Sequence, residues 1–356
     1  MRVWKLEPRA HFHLGEKEAI LEQTADYIHS DTLFSAICNA YRLLYGEEEL
    51  KNMLELFSGW NPPFLISSAF AYVDKIFTLP LPLSIDWDKY VDREVVERLN
   101  ADREEKEKKE KFDILKTLKK VKFVSEQIFR CVMKEERGIE DYINDKNIIQ
   151  GILFDSEEVA ALRKRFDVRE NKDIKIWSKQ EVPRVVIDRK TSSSNIYHFG
   201  EVSFARNCGL YFLMDLRQKE YKRKVEAAIR VLGDGGIGGD RTYGKGLFKV
   251  EFEKMELDME PKSHFVTLSL YYPREEEVST VMEGYYELMK RGGWIYSVDA
   301  KGMRRRTVRM LAEGSVVKSA DKDLYGALAN VKPGGIDLHE VYRYGFAFAV
   351  PVEVCE

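Results

Sequence analysis

The chain has 356 residues, 44% of them hydrophobic and 33% charged, with a formal net charge of −3 at pH 7. This composition predicts a globular protein with about two domains' worth of chain. No stretch approaches the roughly 18 consecutive apolar residues of a membrane span, and the first residues lack the apolar core of a secretory signal, so we expect a cytoplasmic protein without membrane contact. The 4 cysteines are far apart and form no CxxC pair, which disfavours a disulfide framework and a cysteine zinc site.

Hydrophobic periodicity predicts a sheet flanked by helices in the first 258 residues. The expected elements are a strand at 2–8, a helix over 33–57, extended segments at 64–72 and 76–85, a buried strand at 210–216, a helix at 221–232 and a strand at 247–253. Without the insertions between them, this order fits the ferredoxin-like β-α-β-β-α-β plan. Ser30 and Asp31 precede the first helix and are predicted to cap its N-terminus.

The segment before that helix carries three of the 6 histidines, His11, His13 and His29. Histidines serve as metal ligands and as general acids or bases, but the spacing here fixes neither a third ligand nor a paired carboxylate. Both roles therefore stay open beside a structural or RNA-contacting one.

Charges of both signs dominate 92–120, with REEKEKKEK at its centre. Alternating signs at helical spacing are typical of a solvated helix or a disordered insertion. We therefore expect no binding face in this segment.

A projecting β-hairpin is predicted by two apolar arms, Val182–Ile187 and Ile196–Phe204, that flank the polar tip Asp188–Asn195. A soluble hairpin tip would be polar even without a ligand. Its cations, hydroxyls, amide and rings are nevertheless the side-chain types that hold a single nucleic-acid strand by phosphate contact and base stacking. They are Arg184, Arg189, Lys190, Thr191, Ser194, Asn195, Tyr197 and His198.

The stretch from Leu232 to Gly246, LGDGGIGGDRTYGKG, contains 7 glycines together with Arg241 and Lys245. Glycine accepts left-handed dihedrals and has no side chain to hold a ligand off, so successive amides can line a concavity for phosphate oxygens. We therefore predict a backbone-binding loop, helped by the two cations. The glycines expected to contact the ligand are Gly235, Gly236, Gly238 and Gly239.

Two nucleotide-binding patterns overlap in this loop, and both fail the test of structural context. GxGxxG should follow a strand and open a helix, but here a predicted helix precedes it and a predicted strand follows. GxxxxGK at 239–245 lacks the hydroxyl residue after the lysine, since Gly246 stands there. We therefore expect no nucleotide cofactor.

After Pro261 a second β-α-β-β-α-β plan is predicted, so the fold class would be α+β with ferredoxin-like domains at 1–258 and 259–356. The expected elements are a strand at 266–272, a helix at 278–289, a hairpin pairing 294–298 with 307–311, a short helix at 323–329 and a strand at 346–354. Arg304 and Arg305 lie near the tip of that hairpin. A phosphate or partner contact and a merely solvated turn are both compatible with them.

Four blocks of the sequence resemble those of a known family. They are HFHLGE at 11–16, YIHSDTLFSAICNAYRLLYG at 27–46, PRVVIDRKTSSSNIYHFGEVSF at 183–204 and GIGGDRTYGKGLFKV at 236–250. Together with the two predicted ferredoxin-like units, they resemble the RAMP superfamily of CRISPR-associated RNA-binding proteins. More narrowly, they look like the Csm-type subunit 4 of type III-A effector complexes. The resemblance covers most of the chain and is weak across 92–120 and the C-terminal domain.

The resemblance implies a non-catalytic subunit that grips the 5′ tag of the CRISPR RNA (crRNA), without metal or cofactor. It would contact the large polymerase-like subunit on one side and the first backbone RAMP subunit on the other. The glycine loop would clamp tag phosphates with Arg241 and Lys245, and the hairpin would act as a thumb across the strand. The tag pocket would be lined by His13, Gly15, Ser30 and Asp31.

Two other functions stay open from the residues alone. One is a metal-independent CRISPR RNA-processing ribonuclease, with His13 or His29 as general acid or base and Tyr27 or Lys17 assisting. The other is a structural scaffold whose basic tips contact only protein.

Overall fold

The computed structural model describes residues 1–15, 24–85, 87, 116, 118–134, 139–142, 147–188, 190, 193–296, 302–320, 322–334 and 339–354. The protein is α+β, as predicted, with one large mixed sheet and few helices in this part of the chain. The charged segment predicted at 92–120 lies almost wholly outside the described residues. None of the described helices combines the length and the apolar character needed to cross a bilayer.

The helices of the described residues are α1 (Ser30–Ser58), α2 (Glu126–Met133), α3 (Ser156–Phe166), α4 (Lys222–Gly235) and α5 (Val278–Met282). The strands up to the hairpin are β1 (Arg2–Pro8), β2 (Phe64–Ile66), β3 (Phe70–Val73), β4 (Ile76–Pro80), β5 (Phe123–Ser125), β6 (Ile148–Ile149) and β7 (Ile152–Leu153). The hairpin is β8 (Trp177–Ile187) and β9 (Ser194–Phe204), followed by β10 (Cys208–Leu216) and β11 (Phe248–Lys254). The second half contains β12 (His264–Thr267), β13 (Leu288–Arg291), β14 (Val308–Leu311), β15 (Val316–Lys318), β16 (Ala329–Asn330), β17 (Tyr342–Arg343) and β18 (Ala349–Val352).

The main sheet is centred on β1, which pairs antiparallel with β10 on one side and β11 on the other. Its strand order is β11-β1-β10-β3-β4-β5-β7-β6, with β2 also paired to β10. Val3, Trp4 and Leu6 of β1 are at most 1% exposed, because the strand lies inside the sheet and under the helices. α1 follows β1 and α4 joins β10 to β11, so without the insertions the observed element order is β-α-β-β-α-β.

α1 is a long helix of 29 residues with a kink at Gly46, where φ is 86° and ψ is 177°. Only glycine adopts such a conformation without strain, so the chain turns there. The prediction that Ser30 and Asp31 cap this helix is wrong. His29 is the N-cap residue and makes no side-chain capping bond, whereas the two predicted caps belong to the first turn.

The second half departs from the predicted plan. β12 pairs with β15 and β18, and β13 pairs with β14. The helix predicted at 278–289 ends at Met282, because Gly284 packs so closely that a Cβ there would lie 2.4 Å from the Val316 carbonyl oxygen. The helix predicted at 323–329 is absent from this described stretch, since Gly326 has φ 88° and passes close to the Gly345 backbone.

The two halves share one hydrophobic core, with α1 between them. The rings of Phe34 on α1 and Tyr344 in the second half are 4.9 Å apart, and those of Phe57 and Phe346 are 5.9 Å apart. The Ser68 N–H also donates a hydrogen bond to a carbonyl of the second half, at 2.8 Å. The two halves therefore pack against each other through a shared core and are not joined by a linker alone.

Asp31 holds the second half against the start of α1. Its carboxylate is 0% exposed and accepts hydrogen bonds of 2.8 and 3.0 Å from Arg291 and a further one from Arg343. Burial alone would raise the pKa of Asp31, but the two guanidinium groups hold it well below its usual range. Ser30 is equally buried, and its hydroxyl accepts a hydrogen bond from the Leu270 N–H at 3.0 Å. Both side chains serve the fold, which corrects the expectation that they line an RNA pocket.

Replacing Asp31 by Asn is expected to lower the free energy of unfolding by about 3 to 5 kcal/mol, because two guanidinium groups would lose their buried carboxylate. Chemical denaturation at pH 7 measures this loss. Since the folded pKa is lowered, the carboxylate contributes stability above its unfolded pKa of about 3.9 and loses that contribution as the pH falls through the folded pKa. The stability difference between the two proteins should therefore narrow below about pH 4.

Asp234→Asn is the matched control, since this side chain is 77% exposed and contacts Arg9 at 2.9 Å. Exposed ion pairs of this kind contribute little to stability, so no measurable change is expected. An Asp31→Asn protein as stable as the Asp234→Asn protein would contradict the role of Asp31 in joining the halves.

Candidate nucleic-acid interface

The glycine loop, defined as residues 233–246, connects α4 to β11 and packs against the N-terminal segment that carries the first two histidines. The Gly239 N–H donates to the His13 carbonyl at 2.9 Å, and the Gly246 N–H donates to the His11 carbonyl at 2.8 Å. The loop and the N-terminal segment therefore form one hydrogen-bonded unit.

The glycines of this loop are required mainly by contacts within the protein. Gly238 has φ 94°, and a Cβ there would lie 2.2 Å from the His13 carbonyl oxygen. Gly246 has φ 73°, and a Cβ there would lie 2.0 Å from the carbonyl oxygen of Ile237. The protein itself makes a close approach at Gly236, Gly238 and Gly239, and the assignment of these glycines to the RNA interface stays a prediction.

Two predicted glycines stay open to solvent. An ideal Cβ at Gly235, the last residue of α4, or at Gly15 would meet no atom within 4 Å. Both residues are exposed. Their assignment to the RNA interface stays a prediction.

Glu201 on β9 is a residue that sequence reasoning missed, and it organises the cations beside the loop. Its side chain is 1% exposed; its carboxylate accepts a hydrogen bond from Lys245 Nζ at 2.8 Å and lies 2.9 Å from His11 Nδ1 and 3.5 Å from Arg184. Burial would raise the pKa of Glu201, but Lys245 and His11 lower it below its ordinary value. A charged residue inside a predicted apolar arm was the signal that could have revealed it. Lys245 and Arg184 are therefore fixed in place by an internal carboxylate.

The three N-terminal histidines lie in separate environments. His13 is 6% exposed; its Nδ1–H donates to the Gly200 carbonyl at 2.7 Å, and its ring packs on Phe199 with centres 3.9 Å apart. His29 Nδ1 lies 2.9 Å from the carboxylate of Glu313. Burial would raise the pKa of Glu313, but His29 lowers it. In the described part of the chain, no three His, Cys, Asp or Glu side chains are arranged to hold a metal ion.

Three exposed aromatic rings, each beside a guanidinium group, lie next to the glycine loop. The rings of Tyr243, Tyr296 and Trp294 belong to residues that are 69%, 66% and 56% exposed. The pairs, with the distance from guanidinium carbon to ring centre, are Arg184 and Tyr243 at 5.0 Å, Arg241 and Tyr296 at 4.7 Å, and Arg304 and Trp294 at 4.7 Å. We call these six residues the arginine–aromatic surface.

This surface is continuous across the two halves of the chain. Arg241 and Tyr243 share one 3₁₀ turn of the glycine loop, and Trp294 and Tyr296 follow β13 in the second half. Sequence reasoning identified the arginines but missed the three rings, whose signal was aromatic residues placed within glycine-rich turns. Exposed rings offer stacking platforms for bases, and a guanidinium beside a ring adds a cation–π contact. The surface therefore has the chemistry of a single-strand binding site.

The predicted hairpin is present and is longer at its base than expected. β8 and β9 pair over their whole length, from Trp177 opposite Phe204 to Ile187 opposite Ser194. Beyond Arg184 its apolar side chains are exposed, by 55% to 64% at Val185, Val186, Ile187 and Ile196. The end of the hairpin therefore projects from the body with both faces open.

The polar residues predicted on the hairpin are mostly accessible. Tyr197 is half-buried and lies opposite Arg184, and the exposed residues are Lys190, Ser194, Asn195 and His198. The predicted contacts Arg189 and Thr191 lie outside the described residues. Arg305, predicted beside the exposed Arg304, is half-buried instead.

Sequence comparison assigns the class of protein. Residues 5–249 match the family model described as the RAMP superfamily, and residues 260–352 match the one described as the CRISPR Csm4 C-terminal domain. A protein of Thermococcus onnurineus (strain NA1), called CRISPR system Cms protein Csm4, is 31% identical over 337 residues, which is 93% of each chain. A protein of the same name from Methanocaldococcus jannaschii is 26% identical over 394 residues, 99% of this chain and 97% of its own.

Solved structures share this fold. The chain resembles one in the crystal structure of the Csm3-Csm4 subcomplex in the type III-A CRISPR-Cas interference complex, with a TM-score of 0.69, 24% identity and 99% of each chain covered. It also resembles one in the Csm1-Csm4 cassette in complex with AMPPNP, with a TM-score of 0.58, 25% identity, and coverage of 100% of this chain and 98% of that one. These matches define a RAMP-superfamily fold. The chain belongs to the Csm4 family, so the resemblance inferred from its sequence is confirmed.

Gly238→Ala is expected to lower the free energy of unfolding by about 2 kcal/mol or more, because alanine is strained at φ 94° and its Cβ would strike the His13 carbonyl. Gly235→Ala is the matched control. It should be neutral or stabilising by about 0.4 to 1 kcal/mol, since its Cβ has open space and alanine favours helix. Denaturant unfolding measures both. Equal stability of the two variants would contradict the internal packing role of Gly238.

Proposed function

We propose that this chain is the Csm4-type subunit of a type III-A CRISPR effector complex and that it binds the 5′ tag of the crRNA without catalysing its cleavage. In the same role it would contact the large polymerase-like subunit and the first backbone RAMP subunit. Relatives of this fold have been solved as Csm3-Csm4 and Csm1-Csm4 assemblies, which supports two protein partners.

The observation that carries the RNA-binding proposal is the arginine–aromatic surface. Three rings exposed by 56% to 69%, each beside a guanidinium group, form a connected platform from the hairpin base to the second half. Every base has a π-face, so such rings hold a single strand with little dependence on sequence. The guanidinium groups also attract the phosphates that link the stacked bases.

The hairpin is proposed as a thumb across the bound strand. Its projecting end carries Lys190, Ser194, Asn195 and His198 in exposed positions. Arg189 and Thr191, which lie outside the described residues, stay proposed RNA contacts. Its base ends at Arg184 and Tyr197, which lie opposite each other. Since Arg184 contacts Tyr243 of the glycine loop, the thumb and the platform would act on the same strand.

The non-catalytic part of the proposal is supported by the environment of the histidines. His13 is buried and its Nδ1 donates to a carbonyl, so it is poorly placed to exchange a proton with a substrate. His29 forms a hydrogen bond with Glu313 at the junction of the two halves.

We also propose two domains, 1–258 and 259–356. A ferredoxin-like plan is proposed for the first domain, because its strand order and antiparallel pairing are compatible with that plan.

Tyr296→Ala and Trp294→Ala are each expected to weaken binding of a single-stranded RNA with the tag sequence by about tenfold or more, since stacking contributes about 1 to 3 kcal/mol per base. Fluorescence anisotropy with the purified full-length chain measures the affinity. The matched control is Tyr285→Ala, an aromatic residue 47% exposed whose backbone pairs with Val316. It should leave RNA affinity unchanged.

Unchanged affinity in Tyr296→Ala and Trp294→Ala would remove the platform from the proposal.

The non-catalytic assignment is tested by following cleavage of the same RNA on a denaturing gel in the absence of divalent ions. Cleavage by the wild-type chain, lost in His13→Ala, would overturn the non-catalytic assignment.

Arg241→Ala is expected to weaken RNA binding and to reduce the slope of log K against log salt by about 0.7, the share of one phosphate contact on a single strand. Titrations at several salt concentrations measure the slope. Lys249→Ala on β11 is the control, because this side chain is 64% exposed and interacts with Glu251. A slope that stays at the wild-type value in Arg241→Ala would show that this arginine meets no phosphate.

A further inference from the structure

Asp31 binds Arg291 and Arg343 at the junction of the two halves, and Arg305 lies within electrostatic range of all three. Arg291 ends β13, and two residues further on the Gly293 carbonyl accepts a hydrogen bond from the Arg305 N–H at 2.8 Å. Arg343 lies on β17, which pairs with β16. The segment that carries Arg305 therefore lies alongside the end of β13, where Arg291 reaches Asp31.

The segment that carries Arg305 is also hydrogen-bonded to the chain that follows β16. The Arg306 N–H donates to the Val331 carbonyl at 2.9 Å, one residue beyond that strand. Hydrogen bonds on both sides give the backbone at Arg305 a fixed position.

Two of the three arginines have a carboxylate partner and the third, Arg305, has none among the described residues. Arg291 makes two hydrogen bonds to Asp31 and Arg343 makes another to the same carboxylate. The side chain of Arg305 makes no hydrogen bond or ion pair with any described residue, and its Nε is buried without a partner. The nearby Glu313 is engaged by His29 and Ser68. Burial and the neighbouring Arg343 lower the pKa of Arg305 to about 10, so it is still charged at pH 7.

A partly buried guanidinium group without a carboxylate is costly to the free protein. The planar fork of arginine matches the oxygens of a phosphate, which would supply the missing negative charge. Arg305 is half-buried rather than sealed, and the preceding residue, Arg304, lies over the exposed Trp294 ring. The cluster thus opens beside the arginine–aromatic surface.

We propose that Arg291, Arg305 and Arg343 form an anion pocket that receives one backbone phosphate of the RNA strand stacked on Trp294. Asp31 holds the first and third guanidinium groups in position, and Arg305 supplies the charge that the phosphate neutralises. This inference rests on the proposed RNA-binding function and deepens it by naming the subsite.

The test uses Arg305→Met in the full-length protein, with two readouts. Without RNA, the thermal midpoint should rise, because an uncompensated charge is replaced by an apolar side chain of similar length. With single-stranded RNA, affinity should fall about tenfold and the salt slope should decrease by about 0.7. Arg305→Lys keeps the charge without the fork and should retain most of the slope.

Arg223→Met is the matched control. This arginine is exposed near the start of α4, a helix of 14 residues whose other end leads into the glycine loop. It loses the same charge about 15 Å along the helix from the start of that loop. Neither the thermal midpoint nor the RNA affinity should change.

The outcomes separate this inference from the function on which it rests. A lower thermal midpoint in Arg305→Met would overturn the pocket, because the charge would then serve the fold. Wild-type RNA binding with an unchanged affinity and slope in Arg305→Met would overturn the pocket and leave the proposed function standing. If the wild-type chain binds no RNA, the proposed function fails. A thermal midpoint raised by inorganic phosphate in the wild type and not in Arg305→Met would then assign the pocket to a free anion, and no such rise would overturn the pocket as well.

Discussion

The contact of Asp31 with Arg291 and Arg343 determines how the two halves of the chain meet. The carboxylate belongs to the first turn of α1, and the two guanidinium groups come from β13 and β17. Because the chain leaves β13 toward Trp294 and Tyr296, the same contact places these rings beside the glycine loop. A buried ion pair of this kind stabilises one arrangement strongly, since breaking it leaves charges without partners. The candidate interface is thus a product of the junction between the halves, and neither half contains it alone.

The glycine loop exposes side chains, while much of its backbone is engaged inside the protein. The amides of Gly239 and Gly246 are used by the N-terminal segment, and the amide of Gly236 is used by the Leu232 carbonyl. The glycines let the loop pack against residues 11–13 at distances that any Cβ would prevent. What the loop then presents is Arg241 and Tyr243 in a fixed turn. The composition of the loop predicted a phosphate site made of backbone amides. In the structure the loop holds the side chains of Arg241 and Tyr243 on one turn.

Local patterns predicted the elements that local forces decide. β1, the helix before the glycine loop and the paired arms of the hairpin all follow from apolar spacing, and they are found within a few residues of the expected bounds. The helix expected at 278–289 failed because Gly284 packs on the Val316 backbone, a contact distant in sequence. The role predicted for Asp31 was wrong, and Glu201 was missed, for the same reason. Their roles depend on arginines and a lysine that lie from 17 to more than 300 residues away in sequence, and the fold decides which of these cations come close.

The charge of the interface follows from this arrangement. A protein with a net charge of −3 must concentrate cations locally to bind a polyanion. Here Glu201 takes up part of that charge, since Lys245 and Arg184 both lie against it. Fewer free charges weaken the attraction to a polyanion, but the remaining cations are already ordered. A buried carboxylate or an aromatic ring holds each of them, so they have lost much of their side-chain freedom before any ligand binds. Ordering them on a ligand then costs less, and non-specific attraction to any polyanion is weaker. Under the proposed function, such a surface would gain its affinity from preformed stacking geometry, which suits the proposed binding of one end of a single strand.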